Sequence, residues 1–154
     1  MQAITHFLVG ILIQKELSGV PLPLFLLLIP LFGIISHIVL DIFARFTYHP
    51  PKPEKSLFWK IHFVSFNIAM VILFVIKREY WFGMLSSVIP DLIDWFGIRP
   101  YWWIKRRSKE FEIKPVFHSF IDALDPFKRL PSLRDRKFST VFEILLICIL
   151  LYII

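Results

Sequence analysis

The chemistry in this chain is concentrated in histidines and aspartates set among apolar residues. "SHIVLD" places His37 and Asp41 at i and i+4, and "PDLID" places Asp91 and Asp94 at i and i+3 directly after Pro90. "HSFID" repeats the first spacing as His118 and Asp122. On a helix each pair projects from one face. Single histidines, His6 in "ITHFLV" and His62 in "KIHFVS", add two further imidazoles. Histidine and carboxylate pairs on facing helices are how helical bundles build metal sites. With no thiolate nearby, such a set suits zinc, and equally manganese, iron or magnesium, which ligand softness does not separate. The candidate metal ligands are therefore His6, His37, Asp41, His62, Asp91, Asp94 and His118. The residues alone leave a second reading open: the same pairs are hydrogen bonds that lock helices together.

The elements that must carry these residues are membrane helices. Hydrophobic residues make up 56% of the 154, aromatic residues 17%, and the mean hydropathy is +0.66. These values lie well outside the soluble globular range. The apolar residues fall into blocks at 3–14, 22–44, 57–76, 80–98 and 138–154. A span takes roughly 20 apolar residues, so the middle three are expected to cross a bilayer, and the first and last are short for it. The fold class expected is all-α, a polytopic bundle of four to five transmembrane helices in a single domain. The first segment lacks a basic leader and a small-residue cleavage motif, so it is expected to be retained. The single cysteine, Cys148, excludes a disulfide framework.

Charge is confined to the connections. Between Arg99 and Lys137 there are eleven Lys and Arg against five acids, a surplus of +6 that equals the net charge of the whole chain. Beside bilayer-length helices this is the positive-inside pattern rather than a nucleic-acid surface. It puts the N-terminus and the 99–137 segment on the cytoplasmic side, where anionic lipid head groups are the expected partner. Within that segment "KPVFHSFIDALDPF" has a helical apolar pattern too short to span, and is expected to lie at the interface. Thr140 and Glu143 read as a capping box opening the last helix.

An internal repeat organises the rest. "GIISHIVLDIF" from Gly33 aligns with "GMLSSVIPDLI" from Gly83 at an offset of 50, and "ITHFLV" from Ile4 with "KIHFVS" from Lys60 at an offset of 56. Each half, 3–44 and 57–98, is a helix hairpin that starts with a histidine and ends with aspartate. In an antiparallel bundle, the starts of odd helices and the ends of even ones share a face. His6, His37, Asp41, His62, Asp91 and Asp94 are thus expected at one depth. A carboxylate inside a helix costs roughly 2.5–3.5 kcal/mol on insertion scales, so such acids face the interior and have partners. Crowded acids repel one another, and a divalent cation would relieve this.

These residues resemble the membrane-bound metal-dependent hydrolase-like family of bacteria and archaea, which carries an early "TH" or "GH", a "PDxDH" segment, a "THS" and an "SHxxxD" helix. The chain offers Thr5-His6, Ser36 to Asp41, Pro90 to Asp94 and His118-Ser119. The resemblance implies a prokaryotic plasma-membrane enzyme that uses a metal-activated water on a lipid or phosphoester substrate, with Asp94 or His118 as general base. Three departures stand out. Trp95 takes the place of the histidine closing "PDxDH", "HRGxTH" is reduced to "PVFHS", and "SHxxxD" precedes the "PD" segment. An alternative from another class is a non-catalytic membrane scaffold or adaptor whose His/Asp pairs are structural.

Overall fold

The structure is a computed structural model that describes residues 2–50, 55–98, 116–124, 126 and 132–154. Within those residues every regular element is helical: α1 (Ala3–Glu16), α2 (Leu22–Phe43), α3 (Leu57–Ile76), α4 (Trp81–Ser87), α5 (Ile89–Leu92), α6 (Val116–Leu124) and α7 (Ser139–Ile153). Short 3-10 turns follow α2 and precede α4, and a π-helical segment, Ile93–Ile98, continues α5. Pro21 leads into α2, where its missing N–H costs nothing. Ser56 caps α3 by accepting the Trp59 backbone N–H at 3.1 Å. The all-α expectation holds.

Two local expectations need correction. The 80–98 block is not one continuous helix: it breaks at Val88, just before Pro90, and turns from α to π geometry at Ile93. Proline lacks the N–H that an unbroken ladder requires. Thr140 and Glu143 do not form a capping box, because α7 has no side-chain cap at its start. The Ser139 hydroxyl instead donates to the Leu133 carbonyl at 2.7 Å, and Glu143 is turned into the protein, fully buried.

Helix α1 is the axis of the bundle. It packs against α2, α3, α4 and α7, and Ile4, Phe7, Leu8 and Ile11 are buried in the core. This explains how a 14-residue helix serves here: neighbouring helices bury it from Ile4 to Leu8 and at Gly10 and Ile11. Its approach to α4 is at backbone distance. A Cβ on Gly10 would strike the Gly83 carbonyl, and one on Gly83 would strike that of Gly10. Likewise a Cβ on Gly33 of α2 would lie 2.9 Å from the Ser86 carbonyl oxygen. Small residues at such crossings let backbones pack closely where no hydrophobic drive separates helix from lipid. Each glycine stands one turn from a site position: Gly10 from His6, Gly33 from His37, Gly83 from Ser87.

Helices α2 and α3 form the outside. Leu22–Phe46 and Leu57–Ile76 are long and apolar enough to cross a membrane, and only 17% and 11% of their most apolar windows is buried. The apolar side chains they expose, among them Leu26, Leu27, Ile72 and Val75, make a surface far larger than the patches soluble monomers leave open. The contacts bring the first turns of α1, α3 and α7 and the last turns of α2 and α5 to one end. At the other end Gln14 accepts from the Gly83 N–H and donates to the Glu79 carbonyl, and Lys15 donates to the Ile154 carbonyl. The two sequence halves pack unequally: Gly33 rests on α4, whereas its counterpart Gly83 rests on α1.

Candidate metal centre

Three elements deliver the cluster. The first turn of α1 carries His6, the last turns of α2 carry His37 and Asp41, and α5 carries Asp91 just beyond the break. The His6 and His37 rings stack with centroids 4.1 Å apart and planes 19° from parallel. Asp41 spans both: Oδ1 lies 3.3 Å from His6 Nε2 and Oδ2 lies 3.3 Å from His37 Nε2. Asp91 Oδ1 is 3.8 Å from His37 Nε2. One donor atom each from His6, His37 and Asp91 falls within 4.8 Å of the other two. Both imidazoles are fully buried, Asp41 is nearly so, and Asp91 is half-buried.

The tautomer of His37 decides what the cluster needs. Its Nδ1 lies 2.9 Å from the Ser87 carbonyl oxygen. A carbonyl only accepts, so Nδ1 carries the proton and donates, leaving Nε2 of the neutral ring with its lone pair exposed. That lone pair faces carboxylate oxygens of Asp41 and Asp91. Acceptors face acceptors, which requires either a proton, on the ring or on a carboxyl group, or a cation among them. The donor set fits a metal. Two ligands held about 2.0–2.2 Å from a tetrahedral zinc stand roughly 3.3 Å apart. His37 Nε2 and Asp91 Oδ1 stand 3.8 Å apart, so a small inward movement of the half-buried Asp91 would complete the set. A backbone carbonyl holding the far nitrogen of a ligating histidine is also the usual outer-shell arrangement. The break in the helix supplies that carbonyl, since the turn at Val88 interrupts the ladder in which Ser87 sits.

His6 is arranged differently. Its Nδ1 is buried without a hydrogen-bond partner among the described residues. A neutral His6 can therefore place its proton on Nε2, toward Asp41.

His62 joins a neighbouring group. Its Nε2 lies 3.8 Å from Glu143 Oε2, and both side chains are buried. Glu143 Oε1 accepts the Gln2 backbone N–H at 2.7 Å and faces the Thr5 hydroxyl at 3.4 Å. Glu143 thus ties α7 to the start of α1, next to His6. Sequence reasoning missed it as a site residue. The available signal was an acid inside a 15-residue apolar helix, which calls for a partner.

Asp94 is fully buried one turn beyond Asp91, at the start of the π segment. His118 lies in α6, but its side chain, like those of Asp122 and Trp95, falls outside the described residues. The base roles of Asp94 and His118 are thus not placed by this geometry.

A cavity of about 540 Å³ adjoins the cluster. Asp41 and Asp91 line it together with Trp59, Phe63, Asn67, Phe96, His49 and Arg134. The 45–49 loop and the 133–134 segment that border it are tied by two backbone hydrogen bonds: His49 N–H to Arg134 O at 2.8 Å and Leu133 N–H to Arg45 O at 3.0 Å.

No family model, curated protein or solved structure matches this chain.

Proposed function

We infer that this chain is an integral membrane metal-dependent hydrolase, with the ion held by His6, His37 and Asp91 and with Asp41 beside it. The observation that carries the reading is His37: its Nδ1 is committed to Ser87, and its Nε2 is aimed at two carboxylates. A divalent cation, zinc first and manganese, iron or magnesium after it, would supply Lewis acidity and lower the pKa of a coordinated water toward neutrality. Asp41 and Asp91 line the cavity, so water and substrate reach the cluster from that side. Asp41 spans both imidazoles and holds them in position. It is also the carboxylate placed to take a proton from a water arriving through the cavity. The resemblance to the metal-dependent hydrolase-like family supports the same chemistry.

The chain is read as a bundle of four to five membrane segments, with α1, the broken α4–α5 helix and α7 embedded alongside α2 and α3. The charge of the basic 99–137 segment supports a site at the cytoplasmic interface. A structural reading is favoured by one observation, the ability of His6 to donate from Nε2 to Asp41 without a metal. The two readings part on activity. Zinc- or manganese-loaded protein in detergent should hydrolyse a generic phosphomonoester or phosphodiester, and His37→Asn should abolish turnover while leaving a folded protein. If loaded wild-type protein turned over no ester and His37→Asn changed only stability, the scaffold reading would replace the enzyme.

A further inference from the structure

The cavity is asymmetric in charge and in polarity, and both asymmetries describe a ligand. Asp41 and Asp91 stand on the wall shared with the metal centre, and Arg134 is the sole Lys or Arg among the described lining residues. Among the described residues the Arg134 guanidinium makes no ion pair. Its backbone is nevertheless fixed, since its carbonyl accepts from His49 and the preceding Leu133 N–H donates to Arg45. A guanidinium presents a planar fork of donors matched to phosphate oxygens. The same cavity is lined by Asp41 and Asp91 of the cluster that would hold a cation. An anionic group seated between the two would be neutralised by both.

Part of the remaining wall is aromatic and faces outward. Phe63 and Phe96 line the cavity and are 48% and 77% exposed, and Phe63 stands on α3, one of the two membrane-length helices. Asn67, one turn along α3, brings a polar group to the same wall and donates to the Phe63 carbonyl at 2.7 Å. The volume is that of a small-ligand pocket, sufficient for a head group. A soluble phosphate has no use for an aromatic wall on a lipid-facing helix. A lipid has one.

We propose that this cavity binds the phosphate of an anionic lipid between Arg134 and the His/Asp cluster, with the lipid chain leaving sideways past Phe63 and Phe96 into the bilayer. The assignment deepens the hydrolase reading and rests on it for the cation at the cluster. Arg134 is the specificity-determining contact, and α3 forms the lateral opening.

The test uses the full chain in detergent, zinc-loaded and chelator-treated, as wild type, Arg134→Gln and Arg134→Lys. The probes are dioctanoyl phosphatidic acid, dioctanoylglycerol and inorganic phosphate. Wild-type protein should bind the phosphatidic acid at least tenfold more tightly than either other probe. Arg134→Gln should erase its advantage over dioctanoylglycerol with metal content unchanged, and Arg134→Lys should restore part of it. Equal affinity of wild type and Arg134→Gln for the phosphatidic acid overturns the proposal and leaves the metal reading standing. Inorganic phosphate binding as tightly as the lipid, in an Arg134-dependent way, also overturns it and makes the pocket one for a soluble anion. Arg134-dependent lipid preference in a protein that retains no metal supports the anion site and removes the hydrolase reading.

Discussion

His37 donates from Nδ1 to the carbonyl of Ser87, its counterpart at the same step of the internal repeat, at 2.9 Å. The bond joins α2 to the broken fourth helix and fixes which nitrogen of His37 faces Asp41 and Asp91. It depends on an interruption of the backbone ladder at Val88, upstream of Pro90.

Pro90→Ala should therefore act on the metal centre without altering any ligand. The restored N–H at position 90 supplies the Ser86 carbonyl with a donor and favours a continuous helix, in which the Asp91 N–H would take the Ser87 carbonyl and release His37. Losing an outer-shell partner typically lowers metal affinity by about 10–100-fold. Competition titration with a chromophoric chelator should show a loss in that range in a protein that remains helical.

The close glycine crossing should be far less tolerant than its chemistry implies. Gly10→Ala sets a methyl group against the backbone of Gly83, which has no side chain to move aside. Overpacking of this kind costs about 1–3 kcal/mol or more. Gly19→Ala, where nothing lies within 4 Å of the new carbon, should be neutral or slightly stabilising. Thermal unfolding in a fixed detergent compares the two.

Glu143 should prove structural as well as electrostatic. Glu143→Ala removes the acceptor for the buried Gln2 N–H and the partner of His62, and leaving a buried donor unsatisfied costs about 1–3 kcal/mol. Glu143→Gln keeps a carbonyl oxygen for Gln2 and should lose less. A chemical-denaturation midpoint that falls furthest for alanine and less for glutamine is the expected order.

Which of these features are legible in the sequence depends on how local they are. The i, i+4 spacing of His37 and Asp41 and the doublet at Asp91 and Asp94 need only one helix each, and alternation of helix direction is enough to anticipate a shared depth. Glu143 resists such reading because "TVFE" is also a good helix start. Only the packing of α1 against α7 shows the carboxylate turned toward Gln2 and Thr5. Pro90 is visible as a helix breaker, but the use of the freed Ser87 carbonyl depends on how α2 crosses α4 at Gly33. The shortness of α1 looks like a poor span in sequence and becomes intelligible once four helices are seen to surround it. His62, paired with His6 by the repeat, belongs in space with Glu143, because the two halves pack unequally.

Metal retention should fall on acidification. Imidazoles ligate in the neutral form, and ordinary ones take up protons below about pH 6.5. Protons therefore compete with the ion for the cluster as pH falls, and retention should decline as pH is lowered from about 7.5. Dialysis across that range followed by elemental analysis checks the sign. Retention that rises on acidification would contradict the assignment.

The central claim is that His6, His37 and Asp91 hold one ion. It is tested most directly by the metal content of purified full-length protein, wild type beside His6→Ala, His37→Asn and Asp91→Asn. The expected result is one divalent ion per wild-type chain and a substoichiometric content in each variant, all of them still helical. Wild-type protein carrying no stoichiometric divalent ion after incubation with zinc or manganese, and variants indistinguishable from it, would contradict the claim.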